Sequence, residues 1–303
     1  MSLCRGQKQR LIFERCVMKY RFLRFPGGKF KAATFSYDDG LRADERLAKK
    51  FSEYGFKATF NINSGRIGSV DGEGNITVNE MREFIIGLGH EVAVHGHYHR
   101  APGLITPIEC TEEVLECRRI LERELDTVIR GMAYPDSGIR CIFPGTSREA
   151  IYSVLRAAGI AYSRTTLLDD SFALPEDWYD WKASARNTDP AVLDVVDRFL
   201  ALDEKALYNG LRWPKLFFMW GHSFEFERMN NWELIDELGA RFAKHDDVWY
   251  ATNMEIYEYV NAYNSLVFSA AGDKVYNPTL IKVWFVYDNI PCSVEPGETL
   301  RLF

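Results

Sequence analysis

Short apolar runs alternate with amphipathic stretches along most of the chain. Lys31–Tyr37 has the character of a strand, and Leu41–Tyr54 then follows a helical period until Gly55 stops it. The couple recurs. Ala58–Asn63 predicts a strand, and Thr77-Val-Asn-Glu80 is a capping box that opens a helix ending near Gly87 or Gly89. Glu91–His95 predicts the next strand. Thr106-Pro107-Ile108-Glu109 combines an N-cap, a proline at the first helical position and a box glutamate, and starts a helix to about Leu125. Gly131–Tyr134 is strand-like, Ser147–Ala158 helical, and Ile160–Tyr162 a short strand. Leu216–Trp220 is the most apolar strand, and Asn231 caps a helix through Lys244. Val248–Ala251 and a capping box at Thr252–Glu255 close the series.

Strands alternating with helices predict an α/β fold with a parallel sheet covered by helices. About seven such units fit a distorted (β/α) barrel better than an open sheet. After Tyr263 the pattern changes: Thr279–Tyr287 and Glu298–Phe303 are strand-like, separated by turn residues. The expected division is an N-terminal segment 1–24, a barrel 25–264 and a small β-rich C-terminal appendage 265–303.

Composition narrows the possibilities. The 303 residues are 47% hydrophobic and 26% charged, an ordinary globular balance. A net charge of −6 with no long basic run disfavours nucleic acid and acidic lipid as partners. No apolar run approaches the roughly 20 residues that span a bilayer. The charged N-terminus is followed by no apolar core, so it does not read as a signal peptide, and a cytoplasmic location is expected. Cys4, Cys16, Cys110, Cys117, Cys141 and Cys292 form no C-x-x-C pair and read as free thiols. No pattern points to a particular oligomeric state.

Candidate chemistry lies in three clusters at predicted strand ends, which in a parallel barrel is the active face. The first is Ser36-Tyr-Asp38-Asp39-Gly40. Adjacent carboxylates at an apolar strand end are costly unless a cation or hydrogen bonds compensate; an acidic N-cap for the next helix is the competing explanation. The second is His95-Gly-His-Tyr-His99, whose i, i+4 histidines can reach one ion in a tight loop. A solvated histidine-rich loop is the alternative. The third is Met219-Trp-Gly-His222, where a lone histidine is more often structural and Gly221 lets the chain turn. Together the clusters supply an Asp and two His for a metal, a second Asp and a spare His. A catalytic zinc site has three protein ligands and an open position, and an acid–base pair would complete a hydrolase.

Over residues 25–260 these clusters resemble the polysaccharide deacetylases, the NodB-homology carbohydrate esterases. The resemblance implies that Asp38 is the general base and that Asp39, His95 and His99 bind a divalent metal, zinc with cobalt or nickel as alternatives. Ala133-Tyr134-Pro135 resembles the third family motif, which lines the groove. Asp177-Trp-Tyr-Asp180-Trp181 fits a D-x-x-D-W pattern that buttresses the catalytic histidine, and Phe218-Met-Trp-Gly-His222 matches the motif carrying that histidine, the general acid. Two departures stand out. The family has an Arg just before the third-motif proline and a Tyr just after it, whereas this chain has Tyr134 and Asp136. Arg130 is the candidate for the arginine role, and the Asp136 N–H for oxyanion binding. The resemblance implies a hydrolase that deacetylates an N-acetylated carbohydrate, with Trp178, Trp181 and Trp220 as candidate sugar-facing rings. The competing functions are a metal hydrolase of another amide, such as a cyclic imide or ureide, and a non-catalytic carbohydrate-binding relative.

Overall fold

The computed structural model describes residues 20–302 except 137, 208–211 and 244. Cys4, Cys16, most of the N-terminal segment and the expected helix end at Lys244 lie outside the described residues.

Among the described residues, nine strands form one parallel sheet: β2 (Lys31–Asp38), β3 (Ala58–Ile62), β4 (Glu91–Val94), β5 (Gly131–Ala133), β6 (Tyr162–Leu168), β7 (Trp181–Ala183), β8 (Ala185–Arg186), β9 (Lys215–Gly221) and β10 (Val248–Tyr250). The order is β7-β6-β5-β4-β3-β2-β9-β8, with β10 beside the start of β2. Only Ser184 separates β7 from β8, which sit at opposite ends of that order, so the sheet returns on itself and closes as a distorted barrel. This is the expected α/β architecture.

The two-residue period of β2 sorts its side chains. Phe35 and Tyr37 pack outward, Phe35 against Phe51 of the helix Ala43–Glu53. The alternate positions point into the barrel, where Thr34 Oγ1 meets Asn253 (2.8 Å) and Ser36 Oγ accepts from Asn61 Nδ2 (2.8 Å). Tyr162, Trp181, Phe218 and Trp220 fill the interior, so the barrel is packed and not a pore. All three capping boxes form, at Thr77, Thr106 and Thr252, and Thr106 opens the helix Pro107–Leu125.

Several elements depart from expectation. The helix opened by Thr77 is α-helical only over Val78–Glu80 and widens into the π-helix Met81–Ile86, where the Gly87 N–H bonds to the Arg82 carbonyl. The sixth strand begins where the sequence pattern ends it, at Tyr162. The helices Val192–Leu200 and Phe224–Met229 and the strands β7 and β8 are additional.

Among the described residues, two small antiparallel sheets follow the barrel in sequence. One pairs β13 (Val283–Tyr287) with β14 (Ile290–Val294) through a two-residue turn in which Asp288 and Asn289 both have positive φ. Its third strand, β1 (Arg21–Arg24), comes from the other end of the chain. The second contains β11 (Val267–Phe268), β12 (Lys274–Tyr276) and β15 (Thr299–Arg301). The Tyr259 hydroxyl ties the first sheet to the helix Asn253–Asn264, donating to the Arg24 carbonyl and accepting from the Trp284 N–H. No helix among the described residues is long and apolar enough to cross a membrane.

Candidate active site

Asp38 is the last residue of β2 and points into the barrel. Asn61 Nδ2 donates to its Oδ1 at 2.8 Å, and the Arg164 guanidinium pairs with its Oδ2. Both charged side chains are almost wholly buried. Burial raises the pKa of Asp38, but the charge of Arg164, followed by those of His95 and His222, outweighs it and holds the carboxyl below its usual range.

Asp39 leaves the strand with a φ of 81°, and His99 and Asp136 also occupy the left-handed region. Such strained positions cluster where function over-determines the backbone. The turn at Asp39 aims its carboxylate at the loop after β4. Its Oδ1 lies 3.6 Å from His95 Nε2 and 3.3 Å from His99 Nε2. One ligand atom from each of the three residues lies within 4.8 Å of the others.

These residues fit a divalent cation. Asp39 Oδ1 is buried without a hydrogen-bond partner among the described residues. His95 Nδ1 lies 2.9 Å from the Ala133 carbonyl, a contact that needs the proton on Nδ1 and leaves the Nε2 lone pair facing Asp39. Burial lowers the pKa of His95, more than Asp38 and Asp39 raise it, and so favours the neutral ligand form. The third histidine of the cluster is turned elsewhere: His97 Nδ1 lies 2.8 Å from Ser64 Oγ.

The loop shape comes from Glu113, a buried residue of the helix Pro107–Leu125. Its carboxylate accepts from the Tyr98 N–H and Arg100 Nε, both at 2.8 Å, and its carbonyl accepts from the His97 N–H at 3.1 Å. A side chain at Gly96 would put Cβ 2.9 Å from Glu113 Oε2, and its φ is 79°, so glycine is required there.

His222 follows β9, with Nε2 3.7 Å from Asp39 Oδ2. Its Nδ1 lies 3.4 Å from Glu225 Oε1, and its backbone N–H donates to Glu225 Oε2 at 3.1 Å. Burial lowers its pKa, but Glu225 and the charges of Asp38 and Asp39 more than reverse this, so His222 titrates above the usual histidine range. Gly221 has a role other than the expected turn. A Cβ there would lie 1.8 Å from Asn187 Oδ1.

The fold therefore brings Asp38, Asp39, His95, His99, His222 and Asp136 to one face, with Asp136 Oδ2 3.8 Å from His99 Nδ1. Other expected residues lie elsewhere. Arg130 precedes β5 and so sits at the opposite end of that strand from Ala133, about 10 Å away by strand rise. Arg164, from the neighbouring strand, meets Asp38 instead. Tyr134 is buried and its hydroxyl donates to the Tyr179 carbonyl at 2.9 Å, while Pro135 is buried beside Gly96, so neither ring is an open groove wall. Asp180 pairs with Arg148 at 3.4 Å, and the carboxylate against His222 is Glu225. Trp181 and Trp220 are buried, and Trp178 packs against Trp181 and Tyr257, which makes these rings interior packing and not a sugar platform.

The sequence reading missed Arg164, Asn61, Glu113 and Glu225. Glu225 had one local signal, its position three residues after His222. Glu113 had another, as a charged residue on the apolar face of a helix.

A model of the family described as polysaccharide deacetylase matches residues 25–150. No curated protein matches the chain. Among solved structures, the chain is similar to a protein of Mycobacterium smegmatis assigned to the polysaccharide deacetylases, at 16% identity and a TM-score of 0.54, over 80% of this chain and 94% of that one. It is also similar to a family 4 acetyl xylan esterase from Clostridium thermocellum in complex with a cobalt ion, at 14% identity and a TM-score of 0.46, over 75% of this chain and 91% of the other. The Streptococcus pyogenes deacetylase PplD, in complex with acetate, is 19% identical with a TM-score of 0.38, over 44% of this chain, which spans 55% of that protein. The residues that match the polysaccharide deacetylase model, 25–150, carry Asp38, Asp39, His95 and His99, and the chain shares the fold of the mycobacterial protein.

Proposed function

We propose that the chain is a metal-dependent hydrolase that removes the acetyl group from an N-acetylated sugar. The observation that carries this reading is a pair of titrating groups pushed in opposite directions beside one candidate metal triad. Arg164 lowers the pKa of Asp38 against its burial, and Glu225 with its carboxylate neighbours raises that of His222 against its own. Amide cleavage needs both, since water must lose a proton and an amine leaves poorly unless it gains one.

Asp39, His95 and His99 would hold the divalent cation, zinc by the chemistry of two imidazoles and one carboxylate. When bound, that cation would polarise the acetyl carbonyl and acidify a water. Asp38 accepts the proton of the attacking water. Asn61 and Arg164 keep its carboxylate fixed while it does so. The Asp136 N–H, at the strand end beside His99, would donate to the oxyanion. His222 delivers its proton to the leaving nitrogen, and Glu225 stabilises the imidazolium before transfer.

The likeness to the polysaccharide deacetylases favours an acetylated saccharide as the substrate. The test is acetate release from N-acetylglucosamine oligomers, peptidoglycan fragments and nucleotide- or lipid-linked N-acetyl sugars, run beside cyclic imides and ureides. Turnover of the acetylated sugars supports the reading. Turnover of the cyclic amides alone replaces it with the other hydrolase.

A further inference from the structure

Trp220 stands where the supports of the base and the acid meet. Arg186 is its direct partner in the β8–β9 register, so the two side chains share a face. The Arg186 guanidinium carbon lies 4.9 Å from the indole centroid, and that of Arg164, from β6, lies 4.4 Å from it. Arg164 pairs with Asp38. Arg186 Nη2 donates to Glu225 Oε1 at 2.6 Å, and that same oxygen faces His222 Nδ1. The His222 ring itself is 5.9 Å from the indole. One ring thus touches the cation behind the base, the cation behind the acid, and the acid.

Two cations beside one ring repel each other unless something attracts both. Each has a carboxylate, and the electron-rich indole supplies the rest. Arg164 Nη1 also reaches the Thr165 carbonyl at 3.1 Å, but Arg164 Nε and Arg186 Nε meet no protein acceptor among the described residues. The ring and a carboxylate therefore set the plane of each guanidinium. The indole Nε1 is likewise buried without a partner there, so it is the π face and not the N–H that is used.

We propose that Trp220 is a positioning residue that fixes Asp38 and His222 relative to one another by holding Arg164 and Arg186 on a single aromatic ring. This rests on the reading of Asp38 as base and His222 as acid. An aliphatic side chain would fill much of the same space and hold neither cation. Another aromatic ring would keep the attraction.

The experiment compares Trp220→Leu and Trp220→Phe as the metal-loaded full chain. It reads kcat and KM on an acetylated saccharide, bound metal, and the arginine Nε–H resonances. Trp220→Leu should lower kcat about 30-fold while KM and metal content stay within about twofold. Trp220→Phe should restore kcat to within about threefold of the wild type. The ring-shifted resonances of Arg164 and Arg186 should persist in Trp220→Phe and collapse towards random-coil positions in Trp220→Leu. A wild-type kcat in Trp220→Leu, or equal impairment of both variants, overturns the proposal. So do arginine resonances that stay in place in Trp220→Leu. If the wild-type chain releases no acetate at all, the deacetylase reading fails by itself. The resonances then decide the positioning role alone, their collapse supporting it and their persistence overturning it.

Discussion

The guanidinium of Arg164 and the carboxylate of Asp38 form an ion pair inside the barrel, both side chains almost wholly buried. Removing one partner of such a pair leaves an uncompensated buried charge, which costs about 3–5 kcal/mol. Arg164→Ala should therefore destabilise the fold by about that amount and lower kcat together with it. Arg164→Lys keeps the charge without the planar fork, and should recover more stability than activity. Chemical denaturation and steady-state kinetics on the two variants check both halves. Equal recovery of stability and activity by lysine would mean that charge alone matters.

The candidate metal triad predicts an asymmetry within the histidine cluster. His99→Ala should lose most bound zinc, because its Nε2 faces Asp39. His97→Ala should keep it, since that ring pairs with Ser64. Metal content after dialysis reads this directly. Zinc lost with His97 and retained without His99 would move the site.

Glu113 touches no candidate metal ligand side chain but captures three donors of the loop that carries His95 and His99. Glu113→Gln keeps the size and loses the charge-assisted bonds. Zinc affinity should fall about 10–100-fold, as for other groups that orient ligands. Competition with a chelator measures it, and unchanged affinity would show that the loop holds its shape without that carboxylate.

How much of this was legible in the sequence depended on distance along the chain. The capping boxes at Thr77, Thr106 and Thr252 are local, four-residue signals, and all three form. The His95–His99 pair and the Asp38–Asp39 pair are also local, and each stands at the end of an apolar strand. Strand β6 defeated the reading because its buried residues Ser163, Arg164 and Thr165 are polar. An apolar pattern stops at Tyr162, and a buried arginine becomes intelligible only with Asp38, 126 residues earlier. The same holds for β1, whose partner β13 lies at the far end of the chain. Asp180 misled for the opposite reason, since a matching local pattern says nothing about which side chain the carboxylate meets.

At the other end of the barrel interior, Glu91 accepts from Tyr162 (2.7 Å), Thr59 (2.8 Å) and the Met254 N–H (2.8 Å). Burial pushes its pKa from 4.5 up to about 7 in spite of these bonds. The folded state then holds a proton that the unfolded chain has lost, so its contribution to stability falls as pH rises from about 4.5 to 7. The ionised carboxylate costs on the order of 3 kcal/mol above that window. Glu91→Gln removes the titration. The difference in Tm between wild type and variant should drift against the wild type across that range and level off above it. Parallel pH profiles would show that Glu91 ionises in the fold as it does in the unfolded chain.

The most direct test of the account removes the proposed base and leaves the candidate metal triad. Asp38→Asn keeps the shape of a side chain that accepts from Asn61 and borders, without joining, the group Asp39, His95 and His99. Zinc content and acetate release are measured together on wild type and Asp38→Asn with N-acetylglucosamine oligomers. The account predicts acetate from the zinc-loaded wild type, and the same zinc content per folded chain with acetate release reduced at least about 100-fold in the variant. Acetate release that survives the substitution, or zinc that leaves with the carboxylate, would contradict the assignment of Asp38 as the base.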